Sequence, residues 1–228
     1  MYLAVIPAFN EGNSIENVVQ ETRKYVDHVV VVDDSSKDNT QALARGSGAI
    51  VLHHSKNRGV GAAMCTGIAY AQKLMPDIVV TLDADGQHNP EDIPRLMRPI
   101  MKGRADWVLG SRFLQKSPAN MSLIKHLGNK FFAFITSILG GVKLTDTQTG
   151  FRALNQKALL ALDLKSEFTY TQEMILILNY KGYHGVEVPI HAKPRKHGNS
   201  RVTSNFIKYG FKSLLIILST YLRQKTRR

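Results

Sequence analysis

The stretch VVTLDADGQHNPEDIP, Val79 to Pro94, decides how the chain is read: an apolar, β-branched run stops at two aspartates one residue apart and passes into Gly-Gln-His-Asn-Pro. Such a run, followed by acidic and turn-forming residues, reads as a buried strand running out into a loop. Asp83 and Asp85 at its end repel each other and raise each other's pKa unless a cation or donor stands between them. A hard divalent metal is one such partner.

Upstream the same pattern recurs. YLAVIPAF, HVVVVDD and AIVLHH are short β-rich runs like DIVVTLDAD, and they alternate with helix-like NSIENVVQETRKYV, NTQALARGSG and VGAAMCTGIAYAQKLM; PEDIPRLMRPIMKG follows the fourth strand. Asn13 or Ser14 is a suitable cap for the first helix. Alternation of this kind predicts a mostly parallel sheet with helices on both faces, whose ligands sit beyond the carboxyl ends of the strands. Those ends carry PAFNEGN, VDDSSKDNT, NRGVGAA and DADGQH, so polar side chains from four loops are expected to converge on one crevice. A fifth strand, DWVLGSR, precedes a looser Ser/Pro/Asn segment, a helix over Met121–Leu139, the tight LTDTQTGFRAL and a helical TYTQEMILILNYKG. A last strand, GVEVPIHA, leads into the basic KPRKHGNSR and a terminal helix.

The chain has 228 residues, 43% apolar and 21% charged, enough for one large core, and no linker or internal repeat divides it. Its single cysteine, Cys65, excludes an internal disulfide framework and suits a reducing compartment. The opening MYLAVIPAFN lacks a charged leader region and is broken by Pro7, so it reads as the first strand. A formal net charge of +12 points to anionic partners. Neither zinc-finger spacing nor an aromatic-basic strand signature is present, and no nucleic-acid partner is expected.

Other motifs carry less. GVGAAM has Met64 where a dinucleotide fingerprint needs its third glycine. DADGQ has Gln87 where a phosphotransferase Asp-x-Asp-x-Thr needs threonine. His53 and His54 are neighbours on a strand and point to opposite faces, so they do not chelate one metal together. Asp83 and Asp85 could be a solvated turn, but Asp33, Asp34, Asn10 and Glu11 on neighbouring strand ends make four independent turns a poor account.

IPAFNEGNSI, VVVVDDSSKDNT, NRGVGAA, LDADGQHNPEDIP, GSRF, TQTGFRAL and VEVPI, in this order, resemble the inverting family-2 glycosyltransferases of GT-A fold, over nearly the whole chain. Within that family the chain most resembles the dolichyl- or polyprenyl-phosphate sugar synthases, typified by dolichol-phosphate mannose synthase, and PRKHGNSR is similar to their Arg-x-x-Gly-x-Ser-Lys loop. The resemblance implies a GT-A catalytic domain over 1–204 and a basic amphipathic helix over 205–228. It implies that Pro7, Ala8, Asn10, Glu11, Val32 and Asp34 bind the nucleotide part of a sugar nucleotide. Asp83, Ala84, Asp85 and Gln87 would surround its diphosphate, with Mg2+ or Mn2+ on Asp83, Asp85 and Gln87. The implied reaction moves a hexose from GDP-mannose or a UDP-sugar to dolichyl or polyprenyl phosphate.

The chain departs from the family at Gly59-Val60-Gly61, where relatives often have Gly-Lys-Gly, and at Arg201, which replaces a lysine after Ser200. Lys125, ahead of Gly128 and Asn129, stands where relatives tend to have arginine.

An acceptor phosphate is already anionic and needs no base, but cations must offset its repulsion from the donor diphosphate. Arg112, Lys125, Arg195 and Arg201, with Ser200, are the candidates for the acceptor phosphate, and Asp85, Arg112 and Arg195 for catalysis. The alternative is a hydroxyl acceptor on a sugar or protein, with Glu173 in TYTQEM as general base. A non-catalytic adaptor built on the fold is a third reading, weakened by the intact Asp-x-Asp.

The terminal NFIKYGFKSLLIILSTYLRQKTRR is too short an apolar run to span a bilayer, and Lys208, Lys212, Ser219 and Arg223 mark a narrow polar stripe. It reads as interfacial, which places the chain peripherally on the cytoplasmic face of a membrane. The sequence sets neither the donor base nor an oligomeric state.

Overall fold

The computed structural model describes residues 1–114, 123–193 and 206–226. Seven strands, β1 (Tyr2–Ala8), β2 (His28–Asp33), β3 (Ile50–His53), β4 (Ile78–Thr81), β5 (Trp107–Ser111), β6 (Arg152–Asn155) and β7 (Gly185–Pro189), form one sheet in the order β3-β2-β1-β4-β6-β5-β7. All neighbouring pairs are parallel except β6, which runs antiparallel to β4 and β5. The helices are α1 (Ile15–Thr22), α2 (Thr40–Gly46), α3 (Val60–Leu74), α4 (Ile93–Met101), α5 (Leu123–Gly140), α6 (Gln156–Ala161), α7 (Thr171–Tyr180) and α8 (Phe206–Lys225).

Near-continuous apolar runs in β1, β2 and β4 follow from burial on both faces of the sheet. Alternate residues of each strand serve opposite cores. Ala4, Ile6, Val29, Val31 and Val80 pack with α1 and α4 residues such as Val19 and Leu96. Leu3, Val5, Val30, Val32 and Val79 pack with Ala63, Met64 and Ile175 from α3 and α7. Pro7 is tolerated in a central strand because the β1–β4 ladder ends at Val5↔Thr81, before the missing N–H is needed.

β6, like the short α6 after it, is an element that sequence patterning missed. Its four residues, RALN, show no alternation, and they pair only because the 144–151 turn reverses the chain between β4 and β5.

α8 docks on α5 and α7 through Ile217, which packs with Phe132 and Leu176. The outer faces of α5 and α8 have the opposite character to a soluble helix. Ile124, Leu127, Phe131, Phe134 and Ile138 on α5, and Phe211, Leu215, Leu218 and Leu222 on α8, are exposed, whereas Thr136, Ser213, Thr220 and Gln224 are buried. Neither helix contains an acidic residue, and none follows Glu187. Among the described residues, no helix is long and apolar enough to cross a membrane.

Candidate active site

The strand ends do converge. A cleft of about 630 Å³ is lined by Pro7 and Ala8 at the end of β1, Phe9 and Glu11 after it, Asp34 after β2, Asn57, Arg58 and Gly59 before α3 and Val60 at its start, and Asp83, Ala84, Asp85 and Gln87 after β4. Its far wall is Gln148, Gly150 and the segment Glu167–Thr171.

The Asp83–Gln87 loop is held from several sides. Gly86 takes φ 73°, and the Gln87 amide donates to Asp85 Oδ1 at 3.0 Å. Ser14 does not cap α1 with its side chain; its hydroxyl donates to the Ala84 carbonyl at 2.8 Å and pins the loop to α1. His88 accepts from the Asp83 amide through Nδ1 at 3.2 Å, stacks on Phe151 at 5.0 Å and is buried, which lowers its pKa to about 4 and keeps it a neutral acceptor. Gly150 lies against the Asp83 carboxylate so closely that a Cβ there would stand 2.5 Å from Oδ1.

This donor set, two carboxylates and a carboxamide on one loop, is hard and oxygen-only. Among the described residues no group of three or more His, Cys, Asp or Glu side chains could enclose a metal by itself. The fit is therefore to a cation held by one or two carboxylates and completed by phosphate oxygens and water, which is how Mg2+ is usually bound.

The nucleotide-side residues divide. Pro7, Ala8, Glu11 and Asp34 line the cleft. Asp34 is also structural: Oδ1 accepts from the Arg58 amide at 2.9 Å and from His54, and Oδ2 accepts from the Gly59 amide at 2.7 Å. Asn10, in the left-handed region at φ 54°, spends its side chain on the Lys37 amide at 2.7 Å. Val32 is fully buried in the core under α3, with no side-chain surface at the cleft. His53 and His54 bind Asp33 and Asp34 separately, as their opposite faces require.

Among the residues expected at an acceptor phosphate, Arg112 makes two bonds to Asp146, Nε at 2.6 Å and Nη2 at 2.8 Å. Burial alone would lower the guanidinium pKa, but the bonds to Asp146, with the charges of Asp83 and Asp85, outweigh it and raise it. Asp146, fully buried, is a partner that sequence reading misses, although it lies in the tight LTDTQTGFRAL. Glu187 fixes its turn by accepting from the Thr145 and Asp146 amides. Phe113 meets His126 edge-on at 5.3 Å, which ties the first turn of α5 to the residue after Arg112.

Arg195, Ser200 and Arg201 lie outside the described residues. The chain entering that segment is docked on the Asp83–Gln87 loop: Lys193 donates its amide to the Gln87 carbonyl at 2.8 Å, and Ala192 bridges His88.

Arg152, also overlooked as a site residue, is buried and donates to the carbonyls of Thr147, Thr149 and Thr171, tying the 147–150 turn to the start of α7. Burial lowers its pKa to about 10. Glu173 is 1% exposed and absent from the cleft lining. Its carboxylate accepts from the Lys165 and Ser166 amides at 3.0 and 2.9 Å and from Arg223 at 2.6 Å.

The chain is 37% identical to the UDP-N-acetylglucosamine–dolichyl-phosphate N-acetylglucosaminyltransferase of Methanococcus voltae, covering 91% of each chain. It is 30% identical to the undecaprenyl-phosphate mannosyltransferase of Micrococcus luteus, covering 90% of this chain and 88% of that one. Glucosyl-3-phosphoglycerate synthase from Mycobacterium tuberculosis, solved with Mn2+, UDP and phosphoglyceric acid, superposes with a TM-score of 0.78 at 19% identity, over 97% of this chain and 78% of that one. The sheet is thus the mostly parallel, helix-flanked GT-A fold. The pattern of the family described as Glycosyl transferase family 2 matches residues 3–162, and the chain belongs to that family and is a glycosyltransferase.

Proposed function

We propose that this glycosyltransferase moves a hexose, with inversion, from GDP-mannose or a UDP-sugar to the phosphate of dolichyl or polyprenyl phosphate. The observation that carries the reading is the docking of Ala192 and Lys193, where the basic KPRKHGNSR stretch begins, on the Asp83–Gln87 loop: the Lys193 amide donates to the Gln87 carbonyl and Ala192 bridges His88. Two relatives over 90% of the chain are named for lipid-phosphate acceptors.

In this reading Pro7, Ala8, Glu11 and Asp34 hold the nucleoside, and Asp83, Asp85 and Gln87 face the diphosphate. Mg2+ or Mn2+ bound there would neutralise charge developing on the leaving diphosphate. Arg112, kept charged and oriented by Asp146, and Lys125, Arg195 and Arg201 bring the acceptor phosphate to the anomeric carbon. A phosphate oxygen forms the new C1–O bond as the bond to the diphosphate breaks, and no proton has to be removed from the attacking dianion.

The hydroxyl-acceptor alternative needs a base in the cleft. Glu173, its candidate, is enclosed by three donors.

The apolar outer faces of α5 and α8, free of acidic residues, support peripheral attachment to an anionic membrane, with 205–228 as the interfacial helix on a catalytic domain of 1–204. The site of action proposed is the cytoplasmic face.

Metal dependence tests the reading. Activity should vanish in chelator and return with Mg2+ or Mn2+, and Asp85→Asn should lose at least ~10²-fold in turnover. Undiminished turnover in either condition would refute the assignment.

A further inference from the structure

α8 touches the cleft wall at one residue and the carboxylate behind it at another. Arg223 in its last turn binds Glu173, and Lys212 lies over the Phe168 ring at 5.0 Å from the centroid. Glu173 in turn holds the Lys165 and Ser166 amides, one on each oxygen. The segment so held packs backbone-to-backbone on the start of α3. The Glu167 carbonyl accepts from the Ala62 amide at 3.1 Å, a first-turn donor that no side chain caps. A Cβ on Gly61 would stand 2.6 Å from the Glu167 carbonyl carbon, and one on Gly59, at φ 96°, 3.0 Å from its oxygen. Gly59 and Gly61, which flank Val60, are thus what lets this segment seat on α3. Glu167 also pairs with Arg58 across the mouth, and Glu167–Thr171 form one wall of the cleft.

Apolar packing at Ile217 already docks α8, so an ion pair with a carboxylate that is 1% exposed is an expensive addition if it serves docking alone. It does something packing cannot: it fixes the register of residues 165–167 between α8 and α3. We infer that Arg223 and Glu173 are positioning residues for the nucleotide cleft, through which the seating of α8 sets the wall formed by Glu167–Thr171. The inference rests on the nucleotide-sugar reading above. It also separates two roles for Glu173, because a base acts on the chemical step and a positioning residue acts on how the donor is held.

Calorimetric titration of UDP and of GDP, each with Mn2+, into the wild type, Arg223→Gln, Glu173→Gln, Arg223→Lys and the double Gln variant tests it. Each single Gln variant should weaken binding of the accepted nucleotide by roughly tenfold, and the double variant should be little worse than Glu173→Gln, as for two members of one interaction. Arg223→Lys, which keeps the charge with one fewer fixed donor geometry, should fall between and carries the test if Arg223→Gln does not fold.

Cys65, the only cysteine, is a second readout. Its Sγ lies 3.8 Å from the Ser166 carbonyl, and burial, followed by the charges of Glu173 and Glu167, pushes its pKa to about 11. Iodoacetamide should label it slowly in the wild type and several-fold faster in the Gln variants, whose 165–167 segment is released. Wild-type nucleotide affinity and Cys65 labelling in Arg223→Gln would overturn the inference, as would a loss confined to kcat in Glu173→Gln. If the wild type binds neither nucleotide, the donor reading fails and this inference with it; if it binds and the variants bind equally well, only this inference fails.

Discussion

Gly150 and Asp83 are in contact through the space a side chain would occupy: a Cβ at 150 would stand 2.5 Å from Asp83 Oδ1 and 2.8 Å from the Tyr170 hydroxyl oxygen. The glycine of TQTGF is there because the carboxylate is. Gly150→Ala should leave the sheet intact and push Asp83 from its position, lowering kcat/KM by about 10-fold or more, since an ångström of misplacement in a reacting site is costly. Steady-state kinetics beside a circular dichroism spectrum checks this. Normal kinetics in a folded variant would show that Asp83 is not position-sensitive.

Arg112 and Asp146 make the second prediction. Asp146→Asn removes the charge opposite a largely buried guanidinium, and breaking such a pair typically costs about 3 kcal/mol or more. Urea unfolding should show the midpoint falling with an unchanged slope. The same variant should raise the KM for lipid phosphate more than the KM for the nucleotide sugar, because Arg112 loses the orientation that Asp146 gives it.

The third prediction concerns the outer faces of α5 and α8. Leu215→Glu with Leu222→Glu places acidic groups on the exposed stripe of α8 and leaves the buried Ile217 contact alone. Sedimentation with vesicles of mixed phosphatidylglycerol and phosphatidylcholine should be strong and salt-sensitive for the wild type and weak for the variant. Equal sedimentation of both would place the membrane contact elsewhere. Point changes are preferable to removing 205–228, because α8 is also part of the fold.

Much of this architecture is legible in the sequence because its signals are local. Apolar runs ending in Asn10-Glu11, Asp33-Asp34 and Asp83-Ala84-Asp85 locate three strand ends, and parallel topology alone then brings them together. β6 is not legible, since RALN has too few residues to show a period and its pairing is decided by the turn before it. Nor are the partners of the site. Asp146 meets Arg112 across 34 positions and Arg223 meets Glu173 across 50, so no spacing rule connects them. Asp34 shows how one residue can satisfy two readings: it was expected beside the nucleotide and does line the cleft, yet its oxygens also bind the Arg58 and Gly59 amides. Glu173 looked like a base from its neighbours in sequence and is a structural carboxylate by its neighbours in space.

The acceptor is the centre of the account, and one measurement addresses it directly. Radiolabelled GDP-mannose and UDP-N-acetylglucosamine are each incubated with the enzyme and Mn2+, in parallel with polyprenyl phosphate and with the corresponding free polyprenol, and organic-phase product is counted under single-turnover conditions. The account predicts lipid-phosphate-linked sugar from at least one donor, at a rate at least ~10²-fold above that with the alcohol, since Glu173, the candidate for the base that a hydroxyl requires, is held by three donors outside the cleft lining. Equal or faster transfer to the alcohol, or product only with sugar or protein hydroxyls, would contradict it.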